Sequence, residues 1–147
     1  MTKDNIAAFF LDDWYVFDSY APFQIEWRGK QYPTAEHAFQ AAHFFKTNPE
    51  LAEQVRLTRS PREADDLAND NKQYDDPNWR AKRIVIMEEI VRAKYDQHPL
   101  VQETLRKSGD RPIVETNPND AFWGWGPDRK GENMLGKIWM QLRAELS

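Results

Sequence analysis

Residues 32–45, YPTAEHAFQAAHFF, predict a helix that is mostly buried. At about 100° per residue, spacings of four and three place Glu36, Gln40 and His43 on one narrow face. Alanine and phenylalanine fill most other positions, whereas a helix on a protein surface shows a broad polar face. The stretch therefore predicts a thin buried line of carboxylate, amide and imidazole. One interpretation is a structural hydrogen-bond network. The other is a functional site, because burying a carboxylate is costly.

Short segments rich in β-forming residues lie before this helix and late in the chain. Residues 14–18, WYVFD, and 24–28, QIEWR, predict strands, and Gly29 predicts a turn after the second of them. Thr34 is the predicted N-cap of the helix. A further strand is predicted at 112–116, PIVET.

Most of the remaining chain carries helix signals. Ser60, Pro61 and Glu63 form a strong helix start, with a cap, a first-position proline and an acidic residue three beyond the cap. The predicted helices cover residues 49–57, from 60 onward, 77 to about 97, 99 to 108, and the segment after 133. The sequence therefore predicts a single α+β domain over residues 1–147, mostly helical, with a small β-sheet.

Length and composition limit the class of protein. The chain has 147 residues, enough for one domain with one substantial core. Its start, MTKDNIAAFF, lacks the pattern of a signal peptide, and no stretch is apolar enough to span a membrane. Cysteine is absent, which excludes disulfides and a cysteine nucleophile, and these features predict a cytoplasmic protein. The net charge of -4 disfavours a general nucleic-acid binder but permits a local basic pocket for one phosphate.

No metal and no cofactor are predicted. Glu36 and His37 do not form a zinc-protease motif, because that motif needs a second histidine four residues beyond the first, and position 41 is Ala41. The chain has three histidines in all. It has neither a nucleophile-elbow motif nor a dinucleotide fingerprint. We therefore expect any catalysis to be independent of metal.

Residues 119–126, NDAFWGWG, form a second constellation, in which Asp120 precedes Phe122, Trp123 and Gly124. A carboxylate beside an aromatic platform suits cleavage of a base from a sugar. The ring stacks on the base, while the carboxylate stabilises a cationic sugar or activates water. The alternative is a turn, which Asn119 and Asp120 both favour, with Trp123 simply packed in the core.

Residues 126–136, GPDRKGENMLG, form a glycine-rich loop that leads into the last predicted helix. Free backbone N–H groups at a helix N-terminus can hold an anion, and Arg129 and Lys130 add positive charge. The alternative is that Asn133 only caps the helix.

Lys94 falls on the predicted apolar face of the longest helix. A lysine in such a position usually extends its ammonium group to water along an apolar stem. The alternative is a desolvated amine with a lowered pKa, able to form a Schiff base.

Taken together and in order, these segments resemble the NADAR, or YbiA-like, family. Its E-H-x-x-Q, D-x-x-W-G and G-x-N-x-L-G elements are the specific part of the pattern, and the match covers about residues 14–143. The matching segments are FDSYAPF (17–23), YPTAEHAFQAAHF (32–44), SPREA (60–64), NWRAKRIVIM (78–87), AKY (93–95), NDAFWGWG (119–126) and GENMLGKIWMQLR (131–143).

The resemblance implies an α+β enzyme that acts on N-glycosidic bonds of phosphoribosyl or ADP-ribosyl compounds. YbiA-like members are N-glycosidases that hydrolyse early riboflavin-pathway intermediates, which are pyrimidines carrying ribose 5-phosphate. Other members remove ADP-ribose from modified guanine in nucleic acid. The implied partner is therefore a small-molecule substrate, with nucleic acid only if ADP-ribosylated guanine is the substrate, and with no membrane.

The residues at the positions of the family pattern, together with His43, have a set of expected roles. Glu36 or Asp120 is expected to stabilise the oxocarbenium-like transition state, and Lys94 to form any covalent intermediate. The buried line of Glu36, Gln40 and His43 is expected to face the sugar, and the Asp120 segment is expected on the opposite side of the pocket. The expected substrate-binding residues are Trp79, Trp123, His37, Gln40, His43, Gly124 and Asn133.

Two positions depart from the family pattern. The family commonly has asparagine where this chain has Ser19, and lysine where it has His43. The second departure leaves open a non-catalytic module that binds ADP-ribose or a related nucleotide.

Overall fold

A computed structural model describes residues 5–146. The strands are β1 (Ala7–Ala8), β2 (Ile25–Trp27), β3 (Lys30–Tyr32) and β4 (Ile113–Val114). The helices are α1 (Ala35–Ala42), α2 (Pro49–Arg56), α3 (Pro61–Asn69), α4 (Trp79–Gln97), α5 (Pro99–Ser108) and α6 (Met134–Leu146). The chain divides into two compact units, of which one is Ser19–Gln97 and the other combines the residues up to Asp18 with those from His98 onward.

The unit Ser19–Gln97 is built around α1. Strands β2 and β3 form an antiparallel hairpin in which Ile25 lies opposite Tyr32. Its turn has positive φ angles at Arg28 (50°) and Gly29 (82°), the conformation that suits tight hairpins. Helix α1 packs against α2, α3 and α4, and β2 packs against α4. Every residue of α1 is buried, so its polar side chains lie inside this unit.

The other unit holds the remaining strands and the C-terminal helix. Strands β1 and β4 pair in parallel, with Ala7 opposite Ile113. Helix α6 packs against β4 and α5. Trp139 of α6 is fully buried, and its indole N–H donates to the Phe17 carbonyl at 3.1 Å. This bond gives the one polar atom of a buried tryptophan a partner.

Helix boundaries follow the predicted capping residues closely. Thr34 Oγ1 accepts a hydrogen bond from the His37 backbone N–H at 3.1 Å, and Ser60 Oγ accepts one from the Glu63 N–H at 3.1 Å. Both side chains satisfy backbone donors that a helix N-terminus leaves unpaired. Helix α5 ends before Gly109, whose φ of 57° suits glycine. These sequence predictions are confirmed.

Two predicted elements differ from the structure. Residues 14–18 were expected to form a strand, but Tyr15–Phe17 form a 3-10 helix, in which the Phe17 N–H donates to the Trp14 carbonyl. β-forming side chains stabilise a strand only where another strand pairs with it, and here the backbone bonds locally instead. Helix α4 begins at Trp79, two residues later than predicted, because Pro77 and Asn78 form a turn in which Asp76 Oδ1 accepts from the Asn78 N–H at 2.8 Å.

The predicted fold class, mostly helical α+β, is confirmed. The small β content is divided between two two-stranded sheets. Within residues 5–146, no helix has the length and apolar character needed to cross a membrane.

Candidate functional site

The start of α1 is held by a buried histidine. His37 Nδ1 lies 2.8 Å from Thr34 Oγ1, and His37 Nε2 lies 3.1 Å from the Thr58 carbonyl oxygen. A carbonyl only accepts, so Nε2 carries the proton and Nδ1 accepts from the threonine hydroxyl. Burial lowers the pKa of His37 and so favours this neutral form. Both ring nitrogens are therefore used to fix α1 against the segment that follows α2.

Glu36 is buried and fully engaged in hydrogen bonds. Ser19 Oγ donates to Glu36 Oε1 at 2.9 Å, and Gln40 Nε2 donates to Glu36 Oε2 at 2.7 Å. The Glu36 backbone N–H also donates to the Ser19 carbonyl at 3.0 Å. Only 7% of Glu36 is exposed. Both carboxylate oxygens thus have donors, and the carboxylate is held in one orientation at the first turn of α1.

Gln40 extends this arrangement to a second carboxylate. Its Nε2 lies 3.4 Å from Asp65 Oδ1, and the Tyr20 hydroxyl donates to Asp65 Oδ2 at 2.7 Å. Burial, followed by the bond to Asp65 and the charge of Glu36, raises the pKa of Tyr20 above its usual range. Tyr20 therefore remains a neutral donor near neutral pH. The connected set Ser19, Tyr20, Glu36, Gln40 and Asp65 is called here the Glu36 network.

His43 ends α1 and contacts an aromatic ring and an acid. Its ring centroid lies 3.9 Å from that of Trp79, with 30° between the planes, and the edge of Phe39 meets it at 5.6 Å. His43 Nδ1 lies 3.1 Å from Asp75 Oδ1. His43 Nε2 is buried and has no hydrogen-bond partner among residues 5–146. A buried polar atom without a partner costs about 1–3 kcal/mol in general, so this nitrogen is a candidate contact for a bound ligand.

Lys94 is buried, although lysines on apolar faces usually reach water. Only 1% of the residue is exposed, and its Nζ lies 5.3 Å from the centroid of the Phe23 ring. The interpretation in which the ammonium group of Lys94 extends to solvent is therefore wrong. Helix α4, which carries Lys94, packs against α1, which carries Glu36.

The Asp120 segment forms the turn that the sequence offered as its alternative interpretation. Asp120 Oδ1 accepts from the backbone N–H of Phe122 at 3.0 Å and of Trp123 at 2.8 Å. This turn uses one of the two carboxylate oxygens. Trp123 is only half-buried, and its ring meets Phe122 edge-on at 4.8 Å. A half-exposed carboxylate and a half-exposed indole thus lie three residues apart on one turn.

Gly124 and Asn133 shape the backbone around this turn. A Cβ atom on Gly124 would lie 2.8 Å from the Glu115 carbonyl oxygen, closer than such atoms approach in proteins. Asn133 Nδ2 donates to the Ile113 carbonyl at 2.9 Å, and its Oδ1 accepts from the Glu115 N–H at 2.9 Å. The amide thereby ties the loop before α6 to β4, beyond any role as a helix cap.

The loop between Gly124 and α6 places a positively charged side chain near an aromatic ring. The guanidinium carbon of Arg129 lies 4.8 Å from the centroid of the Trp125 ring. Asp128 Oδ1 accepts from the Lys130 backbone N–H at 2.9 Å and so folds the loop on itself. Among the residues that the structure describes, no group of three or more His, Asp or Glu side chains is arranged to hold a metal ion.

A model of the NADAR domain matches residues 2–147, which span both compact units. The chain belongs to the NADAR domain family. It is 34% identical over 147 residues to the N-glycosidase YbiA of Escherichia coli (strain K12), covering 99% of this chain and 91% of that protein. An N-glycosidase of Nostoc punctiforme is 31% identical over 131 residues, covering 88% of this chain and 84% of the relative. The family predicted from the sequence is confirmed.

Two further likenesses extend the comparison. The maize protein named chloroplastic riboflavin biosynthesis protein PYRR is 29% identical over 160 residues, and the match covers 98% of this chain but 26% of that protein. The NMR structure of E. coli YbiA superimposes with a TM-score of 0.86 at 34% identity, covering 99% of this chain and 87% of the other. The fold of this chain thus agrees with the fold of YbiA.

Three polar residues of this NADAR chain lie in or beside the site although the sequence did not indicate them. Tyr20, Asp65 and Asp75 pair with residues 45, 25 and 32 positions away, respectively. Helical periodicity cannot connect positions so far apart. Two weak signals existed: Tyr20 follows the departure at Ser19, and Asp65 follows the SPREA segment directly.

His37, which is buried, and His43, which is partly buried, predict acid sensitivity of this NADAR domain. Burial lowers the pKa of both His37 and His43 in the folded state. The unfolded chain therefore binds protons first, and the free energy of unfolding falls as pH decreases below about 6.5. Urea unfolding at about pH 7.5 and about pH 5.5 measures this. In His37→Asn the fall between the two pH values should be smaller; an unchanged fall would contradict the assignment.

Proposed function

We propose that this chain is an N-glycosidase that hydrolyses the N-ribosidic bond of a phosphoribosyl compound. The observation that carries the proposal is the buried carboxylate of Glu36 on α1. Ser19 donates to one of its oxygens and Gln40 to the other, and Glu36 and Gln40 both belong to the family's E-H-x-x-Q element. The names of the relatives, N-glycosidase and riboflavin biosynthesis protein, support this chemistry, and the family resemblance favours a pyrimidine that carries ribose 5-phosphate. The proposed location is the cytoplasm.

The transition state of such a reaction has positive charge at the anomeric carbon. A preorganised carboxylate lowers its energy because no reorientation is needed at the moment of reaction. Glu36 has this property, since Ser19 and Gln40 fix both of its oxygens. We assign charge stabilisation to Glu36, and we assign to Gln40 the role of keeping the Glu36 carboxylate in position. His37 acts by positioning α1, because both of its ring nitrogens are used in the protein.

Trp79 is the proposed platform for the base in the unit Ser19–Gln97. It is half-buried and stacks against His43, so its ring is already oriented. Stacking of one base on an aromatic ring is worth about 1–3 kcal/mol. Lys94 is the proposed site of any covalent intermediate, because a buried amine can be neutral and nucleophilic.

In the other unit, Asp120 is proposed as a charge stabiliser and Trp123 as a stacking ring. Gly124 leaves the space that the backbone of their turn needs. The Asn133 amide fixes the neighbouring loop to β4 through two hydrogen bonds. Arg129 and Lys130 supply the positive charge for the phosphate.

Asp120→Asn and Trp123→Ala are expected to fail in different ways. Asparagine keeps the oxygen that accepts from Phe122 and Trp123, so the turn should survive while the charge is lost and kcat falls. Trp123→Ala should mainly weaken substrate binding, by about 1–3 kcal/mol. Steady-state kinetics on both variants, beside their melting temperatures, measure the difference.

Two results would reassign these residues. If Trp123→Ala binds substrate normally but melts far lower, the ring is packing. If Asp120→Asn raises KM and leaves kcat intact, Asp120 binds ribose and Glu36 alone stabilises the cation. Asp120→Ala is the matched comparison, because it removes the turn acceptor as well as the charge.

Catalysis is proposed to need no metal ion. Among residues 5–146, no group of three or more His, Asp or Glu side chains has an arrangement that could hold a metal ion. Exhaustive chelation followed by assay should therefore leave kcat unchanged. Loss of activity that one divalent ion restores would overturn this.

The family resemblance also leaves an alternative substrate, ADP-ribosylated guanine, and the departure at His43 leaves a module that binds nucleotide without turnover. Comparing kcat/KM on a ribosylamino-pyrimidine 5′-phosphate and on an ADP-ribosylated guanine oligonucleotide separates the two enzyme hypotheses. The proposal expects the small phosphoribosyl compound to be the better substrate, because the chain is acidic, with net charge -4. A higher kcat/KM on the oligonucleotide would favour the alternative.

A further inference from the structure

Asp75 and His43 form a pair that resembles the acid–histidine arrangement of general-base catalysis. His43 Nδ1 lies 3.1 Å from Asp75 Oδ1, and 15% of the histidine side chain is exposed. A carboxylate only accepts hydrogen bonds, so Nδ1 carries the proton of the neutral ring. Nε2 then bears a lone pair, and this atom is buried with no partner among residues 5–146.

The loop that carries Asp75 is fixed to the end of α1. The Asp76 backbone N–H donates to the His43 carbonyl at 2.9 Å. The Thr47 hydroxyl donates to the Tyr74 carbonyl on the same loop. Asp76 in turn accepts from Lys82 of α4 at 2.6 Å. The loop is therefore bound on both sides of Asp75, and the pair does not depend on a chance contact between two surface side chains.

The rings around His43 fix its plane as well as its tautomer. Trp79 stacks on it at 3.9 Å, and the edge of Phe39 meets it at 5.6 Å. A ring held by stacking, by an edge contact and by one hydrogen bond presents its remaining nitrogen in a single direction. Structural histidines usually use both nitrogens, as His37 does in this chain.

We propose that His43 is the general base of the N-ribosidic hydrolysis and that Asp75 is the positioning residue that sets its tautomer. This rests on the proposed function, and it adds the group that activates water. In the step in which water attacks, its oxygen bonds to the anomeric carbon while the bond from that carbon to nitrogen breaks, whether that nitrogen belongs to the base or to an intermediate on Lys94. The electron pair of the broken bond moves to nitrogen, which takes a proton from solvent. The proton lost by water goes to His43 Nε2 and then returns to solvent.

Several charged groups act on the imidazole. Asp75 and Lys72 lie on the segment before α4, with Asp65 on α3, while α4 contributes the uncharged Trp79 ring. Burial lowers the pKa of His43 and is the largest influence; the two carboxylates oppose it and Lys72 adds to it. His43 is accordingly neutral, and able to accept a proton, at neutral pH.

The first test is kinetic. Asp75→Asn should lower kcat by on the order of a hundredfold with little change in KM. It should also move the acid limb of the pH profile to lower pH, because loss of the carboxylate lowers the pKa of the ring further. Asp70→Asn, an exposed aspartate at the end of α3, is the matched control and should behave as wild type. A purely structural role would lower the melting temperature and leave the pH profile unmoved.

A double-mutant cycle asks whether Asp75 acts through the ring. His43→Phe keeps a ring against Trp79 and removes both nitrogens. In that background Asp75→Asn should have no further effect on kcat. Additive losses would overturn the positioning role, and so would a wild-type kcat in Asp75→Asn.

The second test needs no substrate, which separates this inference from the proposed function. The chain has three histidines, so the nitrogen NMR signals of its imidazoles can be assigned. These signals should show that His43 is protonated at Nδ1 and unprotonated at Nε2. Asp75→Asn should give a mixture of tautomers. A proton on Nε2 in the wild-type protein would overturn the proposal. Absence of sugar release from any riboside by the wild type would instead contradict the proposed function and, with it, the base role, while the tautomer result would still decide what Asp75 does.

Discussion

Replacing Glu36 by glutamine is expected to lower kcat by on the order of a hundredfold or more while the domain stays folded. The amide has the size of the carboxylate but carries no charge to stabilise a sugar cation. Ser19 donates to one oxygen and Gln40 to the other, so the amide loses one of these bonds and keeps a partner for its carbonyl oxygen. The fold should therefore lose little stability. Single-turnover kinetics beside thermal melting measure the two effects separately.

Glu50→Gln is the matched control, because Glu50 is an exposed carboxylate in the first turn of α2. It should have wild-type kinetics and a similar melting temperature. A fully active Glu36→Gln variant would mean that Glu36 is only structural. Loss of activity together with a collapse of the melting temperature would make its role one of packing.

Lys94→Met is the second variant with a large expected effect. If the buried amine forms the covalent intermediate, its removal should lower kcat by on the order of a hundredfold or more. Methionine has a similar length and suits a site with 1% exposure, so the core should remain filled. Borohydride added during turnover should add sugar mass to the peptide that contains Lys94 in the wild-type protein. Peptide mass spectrometry measures the adduct.

Lys107, which is exposed on α5, provides the control substitution Lys107→Met and should show neither effect. An adduct on another lysine would refute the assignment to Lys94. Wild-type turnover in Lys94→Met, with no adduct anywhere, would favour direct attack by water.

The sequence predicted local structure well wherever a physical signal lies within a few residues. Thr34 and Ser60 were recognisable caps because a cap acts on N–H groups two or three positions on. The buried stripe of α1 was visible because helical periodicity alone places Glu36 and Gln40 together. Lys94 was placed on an apolar face by the same periodicity, but only the packing of α4 decided that the whole residue is buried.

Features that depend on distant partners were not visible in the sequence. Residues 14–18 have β-forming side chains, yet no strand within residues 5–146 pairs with them, and Tyr15–Phe17 form a 3-10 helix. The carboxylate of Asp65 lies beside Gln40 because α3 packs on α1, and Asp75 reaches His43 across 32 residues. Neither pairing follows from spacing along one helix.

The Asp120 segment is intermediate between these cases. Its turn was predictable from NDAFWGWG, since an aspartate favours turns, whereas its role in stabilising a cation stays a prediction. The structure establishes the turn, in which Asp120 Oδ1 accepts both backbone hydrogen bonds. The Asp120→Asn substitution tests whether the carboxylate charge also acts in the reaction. Function at such a position is compatible with a structural role of the same side chain.

The most direct test of the central claim is to follow the purified protein with a ribosylamino-pyrimidine 5′-phosphate by mass spectrometry while calorimetry measures binding. N-glycosidase chemistry predicts that free base and ribose 5-phosphate appear in equal amounts, through many turnovers, and that Glu36→Gln binds the compound without releasing sugar. Tight binding to the wild-type protein with no release of sugar would contradict the account and identify the chain as a nucleotide-binding module.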